Sequence, residues 1–112
     1  MITIEKLNSM GVNTKEGLSR CMNNEKFYIK LFQMGIKDAH FETLEKAISE
    51  KNLTEAFESA HALKGVIGNL AITPIYAPLN RMTEMLRARM SANYELMYKP
   101  IKDARAKFLN EL

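Results

Sequence analysis

The sequence predicts an all-α fold, an antiparallel up-down four-helix bundle with one or two short N-terminal helices. Two observations support this prediction. Apolar residues recur every three or four positions in successive segments, as on one face of a helix. The segments are joined by short polar breaks, so that consecutive helices should pack as antiparallel neighbours. The length of 112 residues fits one core, and we expect residues 1–112 to form a single domain.

Capping residues mark the predicted helix starts in the N-terminal part of the chain. Thr14 should cap a short helix, Asn24 should cap the next one, and Asp38 should begin a third. The second of these helices is expected to carry an apolar stripe formed by Phe27, Tyr28, Leu31, Phe32 and Met34. The third helix repeats the pattern with Phe41, Leu44, Ala47 and Ile48.

The C-terminal part contains three further predicted helices. The clearest stripe follows the polar segment SEKN and consists of Leu53, Ala56, Ala60, Leu63, Ile67 and Leu70. Thr73 followed by Pro74 predicts the next helix start, and Pro78 should kink that helix or delay its regular part. Asn93 should cap a last helix that is interrupted at Pro100 and carries Leu96, Ile101, Ala104, Phe108 and Leu109. The eight methionines are expected to fill gaps in the core, with a methionine-rich recognition groove as the alternative.

Composition argues against several classes of protein. The net charge of +3 is spread along the chain without a block of like charges, which favours a mixed solvated surface over nucleic-acid binding. No apolar run approaches the roughly 18 residues of a membrane span. Cys21 is the only cysteine, so that neither an internal disulfide nor a thiolate metal cluster is expected. His40 and His61 stand too far apart, without grouped carboxylates, to indicate a metal site. We expect a cytoplasmic protein.

The segment ESAHALKGVIGNLA combines helical periodicity with a histidine, a lysine and two glycines. With His61 set at zero and about 100° per residue, Lys64 lies near 300°, Gly65 near 40° and Gly68 near 340°. The core stripe of the same helix lies between about 180° and 260°. The four residues therefore share a face directed away from the core, and His61 should be exposed. Close helix crossing would require the glycines to face the core.

This face has the chemistry of phosphoryl transfer onto histidine. A neutral imidazole is a nucleophile near physiological pH, and the Lys64 ammonium one turn along suits an anion held at the ring. Gly65 and Gly68 leave room for another molecule to approach. The alternative for a single helical histidine is an ordinary surface residue, and for Lys64 an ordinary surface charge.

The stretch AHALKGVIGNLA resembles the motif of histidine-containing phosphotransfer (HPt) domains, roughly A-H-x-L-K-G followed by small residues and L-G. The segments MGVNTKEGLSRCMNNEKFYIKLF, FETLEKAISEKNLTEAFESAHALKG and LNRMTEMLR extend the resemblance over most of the chain. It implies a four-helix bundle that relays phosphoryl groups between receiver-domain aspartates. It also implies His61 as phosphoacceptor, Lys64 as charge partner, and Gly65 and Gly68 as a cleared docking surface. Ala71 departs from the family, which often has glycine there.

Helix geometry adds candidates on the following helix. If the chain reverses near residues 71–73, Thr83 and Arg87 would flank His61, with Arg87 as a second cation or as a plain surface residue. Glu84 would instead pair with a nearby base. Phe57 is a candidate docking neighbour of His61.

The predicted function is a phosphorelay intermediate that accepts a phosphoryl group on His61 and passes it to another receiver. The alternative is a non-catalytic helical adaptor that binds a receiver or another signalling protein. The chain lacks a glycine-rich nucleotide loop, so that we expect a carrier without ATP binding or kinase activity. No cofactor is expected, with Mg²⁺ on the partner receiver only. The expected partners of the monomer are response-regulator receiver domains and a hybrid sensor histidine kinase, with neither nucleic acid nor membrane.

Overall fold

The computed structural model describes residues 2–112 and consists of α-helices joined by short connections. The helices are α1 (Ile4–Ser9), α2 (Thr14–Arg20), α3 (Glu25–Ile36), α4 (His40–Ser49), α5 (Leu53–Asn69), α6 (Thr73–Arg87) and α7 (Tyr94–Leu109). The last four form the bundle, which confirms the predicted fold class. The short helix α1 was not anticipated from the sequence. None of the helices described is both long and apolar enough to cross a membrane.

The bundle has a simple neighbour relationship. Helix α5 packs between α4 and α6, while α7 closes the bundle by packing against α6 and α4. Helices α5 and α7 are therefore diagonal to one another. The outer face of α5 consequently lies on the opposite side of the bundle from the outer face of α7.

Tight reversals end three of the bundle helices. Lys51, Ala71 and Arg89 each follow a helix end with φ between 53° and 58°, the left-handed conformation that usually favours glycine. After α5, the Ala71 N–H donates to the Gly68 carbonyl at 3.1 Å and the Ile72 N–H to the Ile67 carbonyl at 3.2 Å. This Schellman pairing satisfies the last carbonyls of α5 and fixes the short connection to α6.

The core follows the predicted stripes in α4 and α5, and in α3 only in part. Tyr28, Phe32 and Ile36 of α3 are fully buried, whereas Phe27 is 43% and Met34 60% exposed. Tyr28 and Phe32 of the predicted stripe are therefore in the core and Leu31 packs against it, whereas Phe27 and Met34 lie outside. The buried Tyr28 hydroxyl donates to the Leu70 carbonyl at 2.7 Å.

Two further core predictions hold only in part, since Ile101 and Phe108 of the predicted α7 stripe are buried and Met10, Met85 and Met97 pack against the core. In α7 the buried positions are Tyr94, Tyr98, Ile101 and Phe108, whereas Leu96 is 66% exposed. Among the methionines of residues 2–112, Met82 alone is fully buried, and three are exposed: Met22, Met34 and Met90. The core is thus filled mainly by aromatic and branched aliphatic side chains, and the exposed methionines are scattered over different elements.

The helix caps match the prediction in part. Asn24 and Asn93 cap α3 and α7 as predicted, each accepting a backbone N–H at 3.1 Å. Asn13, rather than Thr14, caps α2. Helix α6 includes Thr73 in its first turn, without a capping side chain.

Neither proline inside the bundle ends a helix. Pro78 lies within α6 and Pro100 within α7. Each ring removes one backbone donor, but the helical conformation continues on both sides because tertiary packing holds it.

The N-terminal helices are attached to the C-terminal end of α5. The Arg20 guanidinium donates to the Gly68 carbonyl at 2.6 Å, and the Asn13 N–H donates to the Ala71 carbonyl at 3.0 Å. Together with the Tyr28 hydroxyl, which donates to the Leu70 carbonyl, these donors bind backbone carbonyls at the end of α5 and in the connection that follows. Helix α5 is therefore anchored at the end that follows His61.

Candidate functional site

His61 lies near the middle of α5 and is exposed, as the sequence predicts. The core-facing residues Ala60, Leu63 and Ile67 of the same helix are completely buried. Because these residues fix the rotation of α5, the imidazole points outward from a rigid helix rather than from a mobile loop.

An aromatic stack borders the imidazole. The Phe57 ring lies one turn before His61, with ring centroids 5.6 Å apart and an interplanar angle of 23°. The Arg87 guanidinium from α6 lies over the Phe57 ring, 4.9 Å from its centroid. Stacking restricts the rotation of the His61 ring, and the cation–π contact links this part of α5 to α6.

Three charged side chains lie next to the stack. The Lys64 ammonium is 3.6 Å from one oxygen of the Glu84 carboxylate, and the other oxygen is 3.4 Å from Nε of Arg87. Glu84 therefore pairs with both bases, in agreement with the pairing considered from the sequence. The cluster carries one net positive charge, which favours an anion at the neighbouring imidazole.

The two glycines of the predicted docking surface differ in their surroundings. A Cβ atom added to Gly65 would have nothing within 4 Å, so this position leaves open space beside His61. A Cβ atom added to Gly68 would lie 2.9 Å from Cε1 of Tyr76. The prediction that helix packing does not explain Gly68 is wrong, because the Tyr76 ring of α6 covers this residue.

Thr83 does not reach the surface. It is completely buried, and its hydroxyl donates to the Leu79 carbonyl at 2.7 Å. The rotation of α6 places Thr83 with the core residues Leu79 and Met82. The prediction that Thr83 flanks the imidazole is therefore wrong, and Glu84 and Arg87 are the α6 residues at this level.

A groove of about 520 Å³ extends from His61 toward the end of α5. One wall is formed by α5 and α6, with His61, Lys64, Gly65 and Tyr76. The opposite wall contains Asn13, Glu16 and Arg20 from the N-terminal part of the chain. Sequence reasoning missed these wall residues and Tyr76, because no local pattern indicates which distant segments meet beside α5.

The residues described contain no group of three or more histidine, cysteine, aspartate or glutamate side chains that could hold a metal ion. His40, the second histidine, lies at the start of α4, and its Nδ1 atom is 2.7 Å from the Asp38 carboxylate. His40 therefore has a local partner of its own and does not line the groove beside His61.

The family model of the Hpt domain matches residues 38–111, a range that contains all four bundle helices and His61. No curated protein and no solved structure matches the chain. Hpt domains carry histidine phosphotransfer in the phosphorelays of two-component signalling, where they work with receiver domains and histidine kinases. The exposed histidine in a helical bundle agrees with this match, and the chain belongs to the Hpt domain family.

Proposed function

We propose that His61 accepts a phosphoryl group from the aspartyl phosphate of a receiver domain and passes it to the aspartate of another receiver. The observation that carries the proposal is the outward-facing imidazole on α5, with open space at Gly65 on one side and the Lys64 ammonium one turn away. Membership of the Hpt family supports the same chemistry.

The transfer requires one bond to form and one to break. A ring nitrogen of neutral His61, which we expect to be Nε2, attacks phosphorus with its lone pair. The bond between phosphorus and the aspartate oxygen breaks, and the carboxylate leaves with the bonding electrons. The proton on the other ring nitrogen remains there, or passes to solvent and is taken up again when the phosphoryl group leaves. The reverse step, with a second receiver aspartate as nucleophile, regenerates neutral His61.

The residues around the imidazole would contribute mainly position and charge, as is usual in phosphoryl transfer. Phe57 would hold the ring in one orientation through the stack. Lys64 would move from Glu84 toward the oxygens of the transferring group, and Arg87 would remain as a second cation nearby. The proposal needs neither a nucleotide nor a metal ion on this chain, and Mg²⁺ would be held by the receiver.

Phosphate transfer from labelled receiver domains tests the proposal. Receivers phosphorylated on aspartate are mixed with the protein, and acid-labile, base-stable label on this chain is measured over time. The wild type and His40→Gln should acquire label, whereas His61→Gln should not. The two variants are matched, because each replaces one of the two histidines by glutamine.

Label that persists on His61→Gln would contradict the assignment. The alternative function, a non-catalytic adaptor, predicts receiver binding without label on either the wild type or His40→Gln. Binding measured by isothermal titration alongside the label distinguishes an adaptor from a chain that has no receiver partner.

A further inference from the structure

The groove beside His61 has a wall that lies outside the region matched by the family model. Glu16 and Arg20 belong to α2, whereas the match begins at residue 38. They nevertheless line the same groove as His61 and Lys64. The surface around the proposed phosphoacceptor is thus built from two parts of the chain. One is the bundle matched by the family model, and the other is α2, which precedes the matched region.

The two side chains of this wall are held in place. Nη2 of Arg20 lies 2.8 Å from the Glu16 carboxylate, and Nη1 donates to the Gly68 carbonyl of α5 at 2.6 Å. Both side chains are nevertheless about half exposed, 45% for Arg20 and 51% for Glu16. A fixed, accessible acid and base can discriminate between partners, because they cannot rearrange freely to suit either sign of charge.

A partner that reaches His61 must also cover this wall. Gly68, the contact point of Arg20, follows His61 by seven positions on the same face of α5, a distance of about 10 Å along the axis. A standard protein–protein interface covers about 800 Å² on each partner, equivalent to a disc of about 16 Å radius. Centred on His61, such an interface includes the wall of α2.

We propose that Glu16 and Arg20 form a rim that selects among receiver domains by the charge on the receiver surface around its phosphorylated aspartate. This inference rests on the proposed function, since the partner it describes is the receiver that exchanges a phosphoryl group with His61. Charges at the rim of an interface act mainly on association rates and partner choice. The rim would therefore affect which receiver docks, whereas His61 carries out the phosphoryl transfer itself.

Two opposite variants test the rim with a pair of receivers, one acidic and one basic around the aspartate. Glu16→Gln removes a negative charge and should change each transfer rate about threefold at low salt, as expected for one charge at about 6 Å in water. The rate from the acidic receiver should rise and that from the basic receiver should fall, so that the ratio of acidic over basic rises about tenfold. Arg20→Gln should lower the same ratio by a similar factor. High salt should reduce both effects, because exposed charges are screened. A loss of folded protein would lower both rates and leave the ratio unchanged.

Matched controls come from α7. Asp103 and Lys99 form another exposed pair one helical turn apart, on the helix diagonal to α5. Asp103→Asn and Lys99→Gln repeat the two charge changes there and should leave the ratio at its wild-type value. Rim variants that shift the ratio no more than these controls would overturn the inference while the proposed function stands. If neither receiver labels the wild type, both the inference about the rim and the proposed function are overturned.

Discussion

The Lys64 ammonium lies 3.6 Å from the Glu84 carboxylate, and this ion pair joins α5 to α6 beside His61. The same carboxylate contacts Arg87 at 3.4 Å. In the unphosphorylated protein, one acidic group thus partly neutralises both cations of this cluster. A phosphoryl group arriving at His61 has to compete with Glu84 for Lys64.

Removing this competition should accelerate phosphorylation. Glu84→Gln keeps the shape of the side chain but releases Lys64, and exposed ion pairs are worth about 0.2–1 kcal/mol. We therefore expect phosphoramidate, a small donor that needs no docking, to label His61 about 1.5- to 5-fold faster. The matched control Asp103→Asn, which breaks the exposed pair with Lys99, should leave the rate unchanged. Slower labelling of Glu84→Gln would contradict the competition.

The two glycines of α5 should respond in opposite ways to alanine. At Gly65 the added methyl group meets open space, and alanine favours the helix, so that Gly65→Ala should stabilise the fold by about 1 kcal/mol. At Gly68 it would lie 2.9 Å from the Tyr76 ring, and the clash should cost about 1–3 kcal/mol, partly offset by helix propensity. Urea unfolding of the two variants measures the difference. A stabilised Gly68→Ala would contradict the close packing of α5 and α6 at this point.

The same substitution at Gly65 should impair docking despite the gain in stability. A methyl group beside the imidazole obstructs a receiver surface more than a small donor. We expect the ratio of receiver-dependent to phosphoramidate-dependent labelling of His61 to fall for Gly65→Ala. An unchanged ratio would mean that this open space is not used for access.

Sequence periodicity locates His61 correctly because α5 has one unambiguous apolar stripe. Its spacing leaves a single choice for the buried face, and the imidazole follows on the other side. In α3 the predicted stripe includes the adjacent residues Phe27 and Tyr28, of which only Tyr28 is buried. The buried Tyr28 donates to the Leu70 carbonyl, a partner 42 positions away that the local sequence does not indicate.

The parts of the site that depend on other helices were predicted less well. Thr83 and Glu84 are adjacent, and an error of one position in the rotation of α6 exchanges a buried residue for the partner of Lys64. A helix wheel places Gly68 away from the core of α5, but it shows only one helix. The Tyr76 ring that packs against Gly68 belongs to α6. Arg20 reaches Gly68 across 48 positions, a contact that only the folded chain defines.

Ala71 offers a test of backbone strain at the end of α5. Its φ of 56° is a left-handed conformation that costs a residue with a side chain about 1–2 kcal/mol more than glycine. After subtraction of the greater freedom of glycine in the unfolded chain, Ala71→Gly should stabilise the fold by about 0.5–1 kcal/mol. Ala62→Gly, inside α5, should instead destabilise it by about 1 kcal/mol. Denaturant unfolding that shows a loss of stability for both variants would contradict the strain.

Two buried tyrosines should make the fold sensitive to high pH. Burial, with a smaller contribution from the nearby Cys21, raises the pKa of Tyr28 to about 12. Burial also raises the pKa of Tyr98, with further raising by Glu45 and Glu42 and an opposing effect of Arg105. Both hydroxyls donate to backbone carbonyls, Tyr28 to Leu70 at 2.7 Å and Tyr98 to Phe41 at 3.0 Å.

The direction of the pH effect depends on whether the folded or the unfolded chain keeps the tyrosine hydroxyl protons at a given pH. Between the ordinary tyrosine pKa of about 10 and about 12, the unfolded chain loses protons that folded Tyr28 and Tyr98 retain, so that the free energy of unfolding falls as pH rises. Each proton contributes up to about 1.4 kcal/mol per pH unit. Tyr28→Phe should therefore make the decline above pH 10 shallower, although loss of its hydrogen bond should cost about 1 kcal/mol at pH 8. Urea unfolding from pH 8 to 11 measures both effects, and an equally steep decline in the variant would contradict the role of Tyr28.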